Sequence, residues 1–240
     1  MPQGHLGRRH RRPERHRDVR GGAARAAVFG MSDGLVSNVS LVLGVAGGGV
    51  GGSTVRLAGL TGLLAGAVSM AVGEYVSMRA HGELLERELS IERDEITSDP
   101  EGEQMELALL YEQRGVSPDR ARALASDMMR DPNLALEAHA REELGIDPDE
   151  LGSPVGAAAS SFGSFAIGAF IPLIPWFFGS GVAAGVISLA LALIAAVLLG
   201  VAVARLSAHP PIPAALRQAG LLALACAVTW LLGRAVGVTV

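Results

Sequence analysis

Pairs of glutamates and a histidine stand at helical spacing in the middle of the chain, and these residue types bind divalent transition metals. The pairs are Glu92 with Glu95, Glu103 with Glu106, and His139 with Glu143. Residues three or four apart share one face of a helix, so each pair would present two ligand groups together. Carboxylates held this close repel one another, and a divalent cation relieves the repulsion. Spacing alone leaves open an ordinary solvated acidic surface.

A second set of polar residues lies inside apolar sequence. Asp33 is followed at helical spacing by Ser37, Ser40 and Gly44, which would form one polar stripe. A carboxylate at bilayer depth costs about 2.5–3.5 kcal/mol, so Asp33 is predicted to face protein, water or an ion. The alternative is a helix cap near the membrane surface. We predict that Asp33 and Ser37 line a transport pathway and that Asp33 binds the metal.

Met70 and Glu74 are four residues apart in another apolar stretch and would share a helix face. A thioether beside a carboxylate offers one soft and one hard ligand, which suits Fe²⁺ or Mn²⁺ better than Mg²⁺. We add both residues to the predicted pathway and Met70 to the metal ligands. The alternatives are that Met70 only packs and that Glu74 binds water or an arginine.

Long apolar stretches must position these residues. The chain is 50% hydrophobic, and a span of about 20 apolar residues crosses a bilayer. Five stretches qualify, at residues 23–45, 57–78, 155–178, 182–204 and 215–236. The predicted fold is therefore all-α, a five-helix transmembrane bundle with a cytoplasmic helical metal-binding domain inserted between transmembrane helices 2 and 3.

The inserted segment is acidic. Residues 80–152 hold 20 of the 24 Asp and Glu residues of the chain against 7 Arg. Asp99, Ser117 and Asp131 each precede a proline, which is the pattern of a capping side chain before Pro at the first helical position. This pattern predicts three short helices, at about 101–114, 118–130 and 132–144.

The basic start of the chain sets the orientation. Residues 1–25 contain eight Arg, and Lys is absent from the whole chain. Positive charge flanking the first span predicts a cytoplasmic N-terminus, which also places the acidic segment in the cytoplasm. The predicted division is a basic disordered tail at 1–20, transmembrane helices 1–2 at 21–80, the acidic metal-binding domain at 81–152, and transmembrane helices 3–5 at 153–240.

Four segments resemble the vacuolar iron transporter family. They are FGMSDGLVSNVSLVLGVAGG at 29–48, LLAGAVSMAVGEYVSMRAHGELLERE at 63–88, LEAHAREELGI at 136–146 and GAAASSFGSFAIGAFIPLIP at 156–175. The order is that of the family, and the resemblance covers nearly the whole chain beyond its basic tail. The Arg-rich, Lys-free composition favours a bacterial-type member in the cell membrane.

The resemblance implies a homodimer that exports Fe²⁺, and in some members Mn²⁺, from the cytosol in exchange for protons. It places the intramembrane aspartate at Asp33 and the pathway methionine at Met70. The glutamates of the metal-binding domain fall on Glu92, Glu95, Glu103, Glu106 and Glu143.

The chain departs from some relatives at three places. Ala26 stands where those relatives have Asp, Gly62 where they have Glu, and His139 where they have a Met ligand. The first two changes bear on the proton route, for which Glu74 is a substitute for the missing glutamate. The third bears on the metal preference.

We therefore predict a transporter with no catalytic residues, whose substrates are Fe²⁺ and Mn²⁺, with Zn²⁺ or Co²⁺ as further candidates. Its partners are the bilayer, protons and a second copy of the chain, and no nucleic acid. One alternative is a membrane-anchored di-iron ferroxidase-like enzyme, although the acidic segment lacks a pair of Glu-x-x-His motifs. The other is a metal sensor without transport.

Overall fold

Every regular element among the described residues is a helix. The computed structural model describes residues 22–145, 147, 152–207 and 209–237, and the predicted basic tail at 1–20 lies outside them. The helices are α1 (Gly22–Gly47), α2 (Gly52–Ser98), α3 (Pro100–Gln113), α4 (Pro118–Met128), α5 (Pro132–Glu142), α6 (Pro154–Phe170), α7 (Pro175–Phe178), α8 (Gly181–Leu206) and α9 (Pro211–Gly237). Five of them, α1, α2, α6, α8 and α9, are long and apolar enough to cross a membrane. The predicted all-α fold with five spans is confirmed at this level.

The third span ends earlier than the sequence predicts. Instead of one helix over 155–178, α6 stops at Phe170 and is followed by a 3₁₀ turn at Ile171–Leu173 and by the short α7. Pro172 and Pro175 lack the backbone N–H that would continue the helix, and their rings clash with the preceding turn. Other helices bind the carbonyls near this break: Asn38 Nδ2 donates to Ala169 O at 2.6 Å, and the Ser188 hydroxyl donates to Pro172 O.

Helix α2 is much longer than a membrane span requires. Its 47 residues rise about 70 Å, which is roughly twice the 30 Å of a bilayer core. The apolar part ends near Met78, and the remaining turns carry most of the acidic residues of this helix. One helix therefore joins the second candidate span to the acidic segment.

Helix α1 packs closely against α6. A Cβ at Gly34 would lie 2.2 Å from Phe165 O, and one at Gly168 would lie 2.3 Å from Met31 O. Both distances are below any real contact, so these two positions must be glycine for the backbones to approach. This packing fixes the rotation of α1 and therefore the direction in which its polar residues point.

The three short helices between α2 and α6 have a small core of their own. Leu107 and Ala108 of α3 pack against Ala125 of α4, with Tyr111 and Met128 at the edges. This core holds α3 beside α4.

Two of the three predicted caps form. Asp99 accepts from Gly102 N at 3.0 Å and Asp131 accepts from Asn133 N at 2.8 Å, whereas the Ser117 side chain makes no cap bond. The predicted cap by the Ser117 side chain is therefore wrong, whereas the predicted start of α4 at Pro118 is confirmed.

Candidate metal centre

Three helices bring one histidine and two glutamates together away from the membrane part of the chain. Glu92 lies on α2 about 21 Å beyond Met78, Glu103 lies on the first turn of α3, and His139 lies on the last turn of α5. One ligand atom from each of Glu92, Glu103 and His139 lies within 4.8 Å of the others. Among the described acidic, histidine and cysteine side chains, this is the one group of three that converges in this way.

His139 is at the centre of the cluster and is fully buried. Its Nδ1 atom lies 3.0 Å from Glu92 Oε1, 3.5 Å from Glu103 Oε2 and 3.6 Å from Glu143 Oε2. Glu143 follows His139 by one helical turn, as its spacing predicted. Four of the six residues predicted for this centre therefore come together: the carboxylates of Glu92, Glu103 and Glu143 surround the imidazole of His139.

The two remaining glutamates lie at the rim. Glu95 and Glu106 are exposed, one turn from Glu92 and from Glu103 respectively. Their charges still reach Glu92, since both help to raise the pKa of that carboxyl. The spacing predicted three equivalent pairs, whereas the structure buries Glu92 and His139, half-buries Glu103 and leaves the other three glutamates exposed.

Burial and like charge both resist ionisation of the cluster. The pKa of Glu92 is raised to about 7, first by burial and then by the charges of Glu143, Glu103 and the two rim glutamates. Burial also raises the pKa of Glu103, although the neighbouring His139 pulls it in the opposite direction. Glu92 therefore releases its proton near neutral pH, where a cation can take the place of the proton.

The imidazole of His139 and one oxygen of Glu92 lack well-aligned hydrogen-bond partners among the described residues. Glu92 Oε1 and both ring nitrogens of His139 are buried without a well-aligned partner among the described residues. Buried polar atoms in native proteins are nearly always satisfied, so unsatisfied ones that face each other call for a ligand. Carboxylate oxygens with one imidazole nitrogen suit Fe²⁺, Mn²⁺, Co²⁺ or Zn²⁺, whereas Mg²⁺ prefers oxygen and water.

The polar residues of α1 are arranged differently. Asp33 and Ser37 are exposed on the surface of the single chain, and the Ser37 hydroxyl donates to Asp33 Oδ1 at 2.9 Å. Asp33 is eleven residues inside α1, so the alternative that it caps this helix is wrong. Ser40 and Gly44 are buried, and Gly44 lies against Thr229 of α9. The predicted stripe is thus divided, and its exposed part is Asp33 with Ser37.

Met70 and Glu74 are half-buried on α2. Met70 packs against an apolar cluster that α2 forms with α6, which includes Ala67 and Phe165. Neither Asp33 nor Glu74 belongs to a converging group of three ligands in the described chain. The membrane residues predicted from the sequence are therefore present at helical positions without forming a closed site within one chain.

Two polar contacts were not predicted from the sequence. Asn38 of α1 is buried and donates to Ala169 O near the end of α6. The sequence signal for this contact was a side-chain amide within an apolar span, next to the polar stripe. Arg114 forms an ion pair with Glu142 across two short helices. No local spacing could indicate that pair, because its members are 28 positions apart.

The sequence matches the VIT family over residues 24–234, a range that includes every candidate site residue described above. The chain belongs to the VIT family. This is a family of vacuolar iron transporters and not of enzymes, so the resemblance is confirmed and the ferroxidase alternative is wrong.

Three relatives show how far the similarity extends. "Vacuolar iron transporter 1" of Oryza sativa subsp. japonica is 30% identical over 228 residues, which cover 95% of this chain and 90% of the rice protein. The protein of the same name from Arabidopsis thaliana is 29% identical over 217 residues, covering 90% and 87%. "Vacuolar iron transporter" of Acanthamoeba castellanii is 42% identical over 163 residues, 67% of this chain and 59% of the amoebal protein.

Proposed function

We propose that this VIT-family protein is an integral membrane transporter that exports Fe²⁺ from the cytosol, with Mn²⁺ as a second substrate. The observation that carries the proposal is the converging group of Glu92, Glu103 and His139, in which Glu92 lies on a helix continuous with a candidate membrane span. Relatives that cover most of the chain are named iron transporters, which supports iron as the substrate. His139 adds a nitrogen ligand that also admits Zn²⁺ and Co²⁺.

The acidic segment is proposed to collect metal on the cytoplasmic side. Residues 81–152 form the collecting domain, and their negative charge attracts divalent cations from solution. The eight arginines of residues 1–25 support a cytoplasmic N-terminus, from which two spans return the chain to the same side. We place the protein in a bacterial cell membrane on the strength of its Arg-rich, Lys-free composition.

Asp33, Ser37, Met70 and Glu74 are proposed to form the pathway through the membrane. In a single chain Asp33 is exposed at a depth where lipid would surround it, at a cost of about 2.5–3.5 kcal/mol. A second copy that covers this face of α1 removes the carboxylate from lipid and leaves a polar path along the shared surface. The cost of leaving Asp33 in lipid supports the proposed homodimer.

Proton exchange is proposed to drive release. Protons and metal ions compete for carboxylates, so an acidic compartment beyond the membrane favours metal-free Asp33. Since Ala26 and Gly62 cannot carry protons, Asp33 and Glu74 are the proposed proton carriers in the spans. A pH gradient therefore acts on the same carboxylates that bind the metal.

The direct test is Fe²⁺ flux in proteoliposomes that contain the full chain, with the interior acidic. We expect iron uptake above that of protein-free liposomes, faster with the pH gradient than without it. Uptake equal to that of protein-free liposomes would exclude transport and leave a metal sensor. Equal uptake with and without the gradient would exclude proton exchange while retaining transport.

A test of the dimer uses one added cysteine. In a Cys226→Ala background, Ser37→Cys is expected to give a disulfide-linked dimer on mild oxidation in membranes. Leu198→Cys is the matched control, because Leu198 is also exposed but lies on α8 and not on α1. Cross-linking of neither variant, or of the control alone, would contradict a dimer along α1.

A further inference from the structure

Arg114 joins the ends of two helices that carry metal ligands. It stands directly after α3, where its own backbone N–H continues the helix to Leu110 O and Tyr111 O. Its guanidinium reaches Glu142, the last residue of α5, where Nη2 donates to the backbone oxygen at 3.0 Å and Nη1 pairs with the carboxylate. One side chain therefore holds a carboxylate and a helix-terminal carbonyl at once.

The helix end that Arg114 holds is part of the metal centre. Glu143 directly follows Glu142, and His139 precedes it by three residues. Carbonyls in the last turn of a helix have no partner within the helix, so a donor from elsewhere fixes where that turn ends. Gly145 then takes a left-handed conformation, with φ of 65°, and the chain leaves α5. The guanidinium thus sets the position of the turn that presents His139 and Glu143.

Arg114 also determines which of two adjacent carboxylates enters the cluster. Glu142 and Glu143 differ by about 100° around the helix, and Glu143 lies 3.6 Å from His139 Nδ1 while Glu142 pairs with Arg114. Without a cationic partner, Glu142 would be a further carboxylate beside the three that surround His139. Its repulsion would then act on the turn that carries Glu143.

We propose that Arg114 is a positioning residue of the metal centre, which holds the end of α5 so that Glu143 and His139 face Glu92 and Glu103. The inference rests on the proposed function only in taking this cluster as the metal-binding site. Partners that orient metal ligands without touching the metal typically change metal affinity by about 10- to 100-fold when removed. The Arg114 side chain is half-exposed, so the pair itself contributes little to stability.

General electrostatics makes the opposite prediction. Removing a positive charge from an acidic segment makes the segment more negative, which strengthens the binding of a divalent cation. The positioning role predicts weaker binding from the same substitution. The sign of the change in affinity therefore separates the two explanations.

A matched control exists on the same segment. Arg130 pairs at 3.1 Å with Asp127, three positions away, and both side chains are largely exposed. Replacing it removes the same charge from the same segment without separating two helices. The pair of Arg79 with Glu83, four positions apart on α2, is local in the same way.

The experiment measures Mn²⁺ affinity of the full-length protein in detergent, from the loss of the electron paramagnetic resonance signal of free Mn²⁺. We expect Arg114→Gln to weaken binding about tenfold or more, and Arg130→Gln to leave it unchanged or slightly tighter. The exchange Arg114→Glu with Glu142→Arg restores the pair and is expected to recover part of the lost affinity. Thermal unfolding of the metal-free variants is expected to change little.

Equal or tighter binding by Arg114→Gln overturns the inference. If that variant does not fold, Arg114→Lys serves instead, because it keeps the charge and loses the fork that reaches two oxygens. Weaker Mn²⁺ binding by Arg114→Lys supports positioning, and unchanged binding overturns it. These outcomes are independent of the proposed transport, since wild-type protein that binds Mn²⁺ without moving iron would contradict the transporter alone.

Discussion

The two groups of candidate ligands differ in how complete they are within one chain. In the acidic segment, Glu92 and His139 are buried and their ligand atoms converge. In the spans, Asp33 is exposed and accepts a hydrogen bond from its helical neighbour Ser37. This difference supports the proposal that binding and crossing are separate tasks, in which one chain binds the metal and a second copy covers Asp33 to complete the path through the bilayer.

The largest effect is expected from Asp33→Asn. This change keeps the size of the side chain and removes the charge that attracts a cation into the spans. We expect Fe²⁺ flux in proteoliposomes to fall to that of protein-free liposomes, while Mn²⁺ affinity in detergent stays that of wild type. Normal flux would remove Asp33 from the pathway, and lost affinity would mean that the two regions are not separate.

The next largest effect is expected from Glu92→Gln. It removes a buried ligand at 3.0 Å from His139 Nδ1 and leaves a neutral amide of the same shape. We expect Mn²⁺ affinity to fall by at least about 10- to 100-fold, the range seen when even indirect partners of metal ligands are removed. Glu83→Gln on the same helix, exposed and paired with Arg79, is the control and should bind as wild type does.

The acidity of Glu92 predicts the pH dependence of binding. Since its pKa is raised to about 7 from the usual 4.5, a proton occupies the carboxyl below pH 7 and must leave before metal binds. We expect Mn²⁺ affinity to fall by up to about tenfold per pH unit between pH 7 and pH 5. In Glu92→Gln the fall should be shallower, and an unchanged slope would assign the proton to another group.

The same carboxyl affects the stability of the metal-free protein in a defined direction. Between pH 4.5 and about 7 the folded chain keeps a proton on Glu92 that the unfolded chain has released. This group therefore makes the metal-free protein less stable as pH rises through that window, with no further change above it. Bound metal would offset the loss, because it stabilises the ionised cluster.

The smallest effect is expected from Ser37→Ala. It deletes the 2.9 Å hydrogen bond from the Ser37 hydroxyl to Asp33 Oδ1 and keeps the carboxylate itself. A hydrogen bond to a charged group contributes about 1.5–3 kcal/mol at most, and water or a partner chain can replace it here. We expect a few-fold reduction of Fe²⁺ flux with unchanged Mn²⁺ affinity, and complete loss of flux would assign Ser37 a direct part in binding.

The sequence predicted the elements well because their signals are local. Asp99 and Asp131 each precede a proline and cap a helix as expected, and apolar length alone located the spans. Pro172 carried the signal for the end of α6, but the surrounding apolar residues outweighed it in the prediction. The VIT-family resemblance pointed to Asp33, Met70 and the five glutamates, whereas His139 was a candidate from its spacing alone.

The arrangement of the site was less predictable because it depends on packing between distant segments. Glu92 and His139 are 47 positions apart, and no periodicity could indicate that His139 would lie at the centre. Equal spacing also suggested that Glu95 and Glu92 were equivalent, yet one is exposed and the other buried. Ser40 is buried, unlike Asp33 and Ser37, because its face of α1 turns towards α9. Only the fold determines that contact.

The most direct test of separate binding and crossing is the dependence of Fe²⁺ flux on iron concentration in proteoliposomes containing Glu92→Gln. The account predicts that half-saturation requires at least about tenfold more iron than in wild type, while the maximal rate at saturating iron is retained. A maximal rate reduced to background with unchanged half-saturation would contradict it, because Glu92 would then take part in crossing and not in collecting the ion.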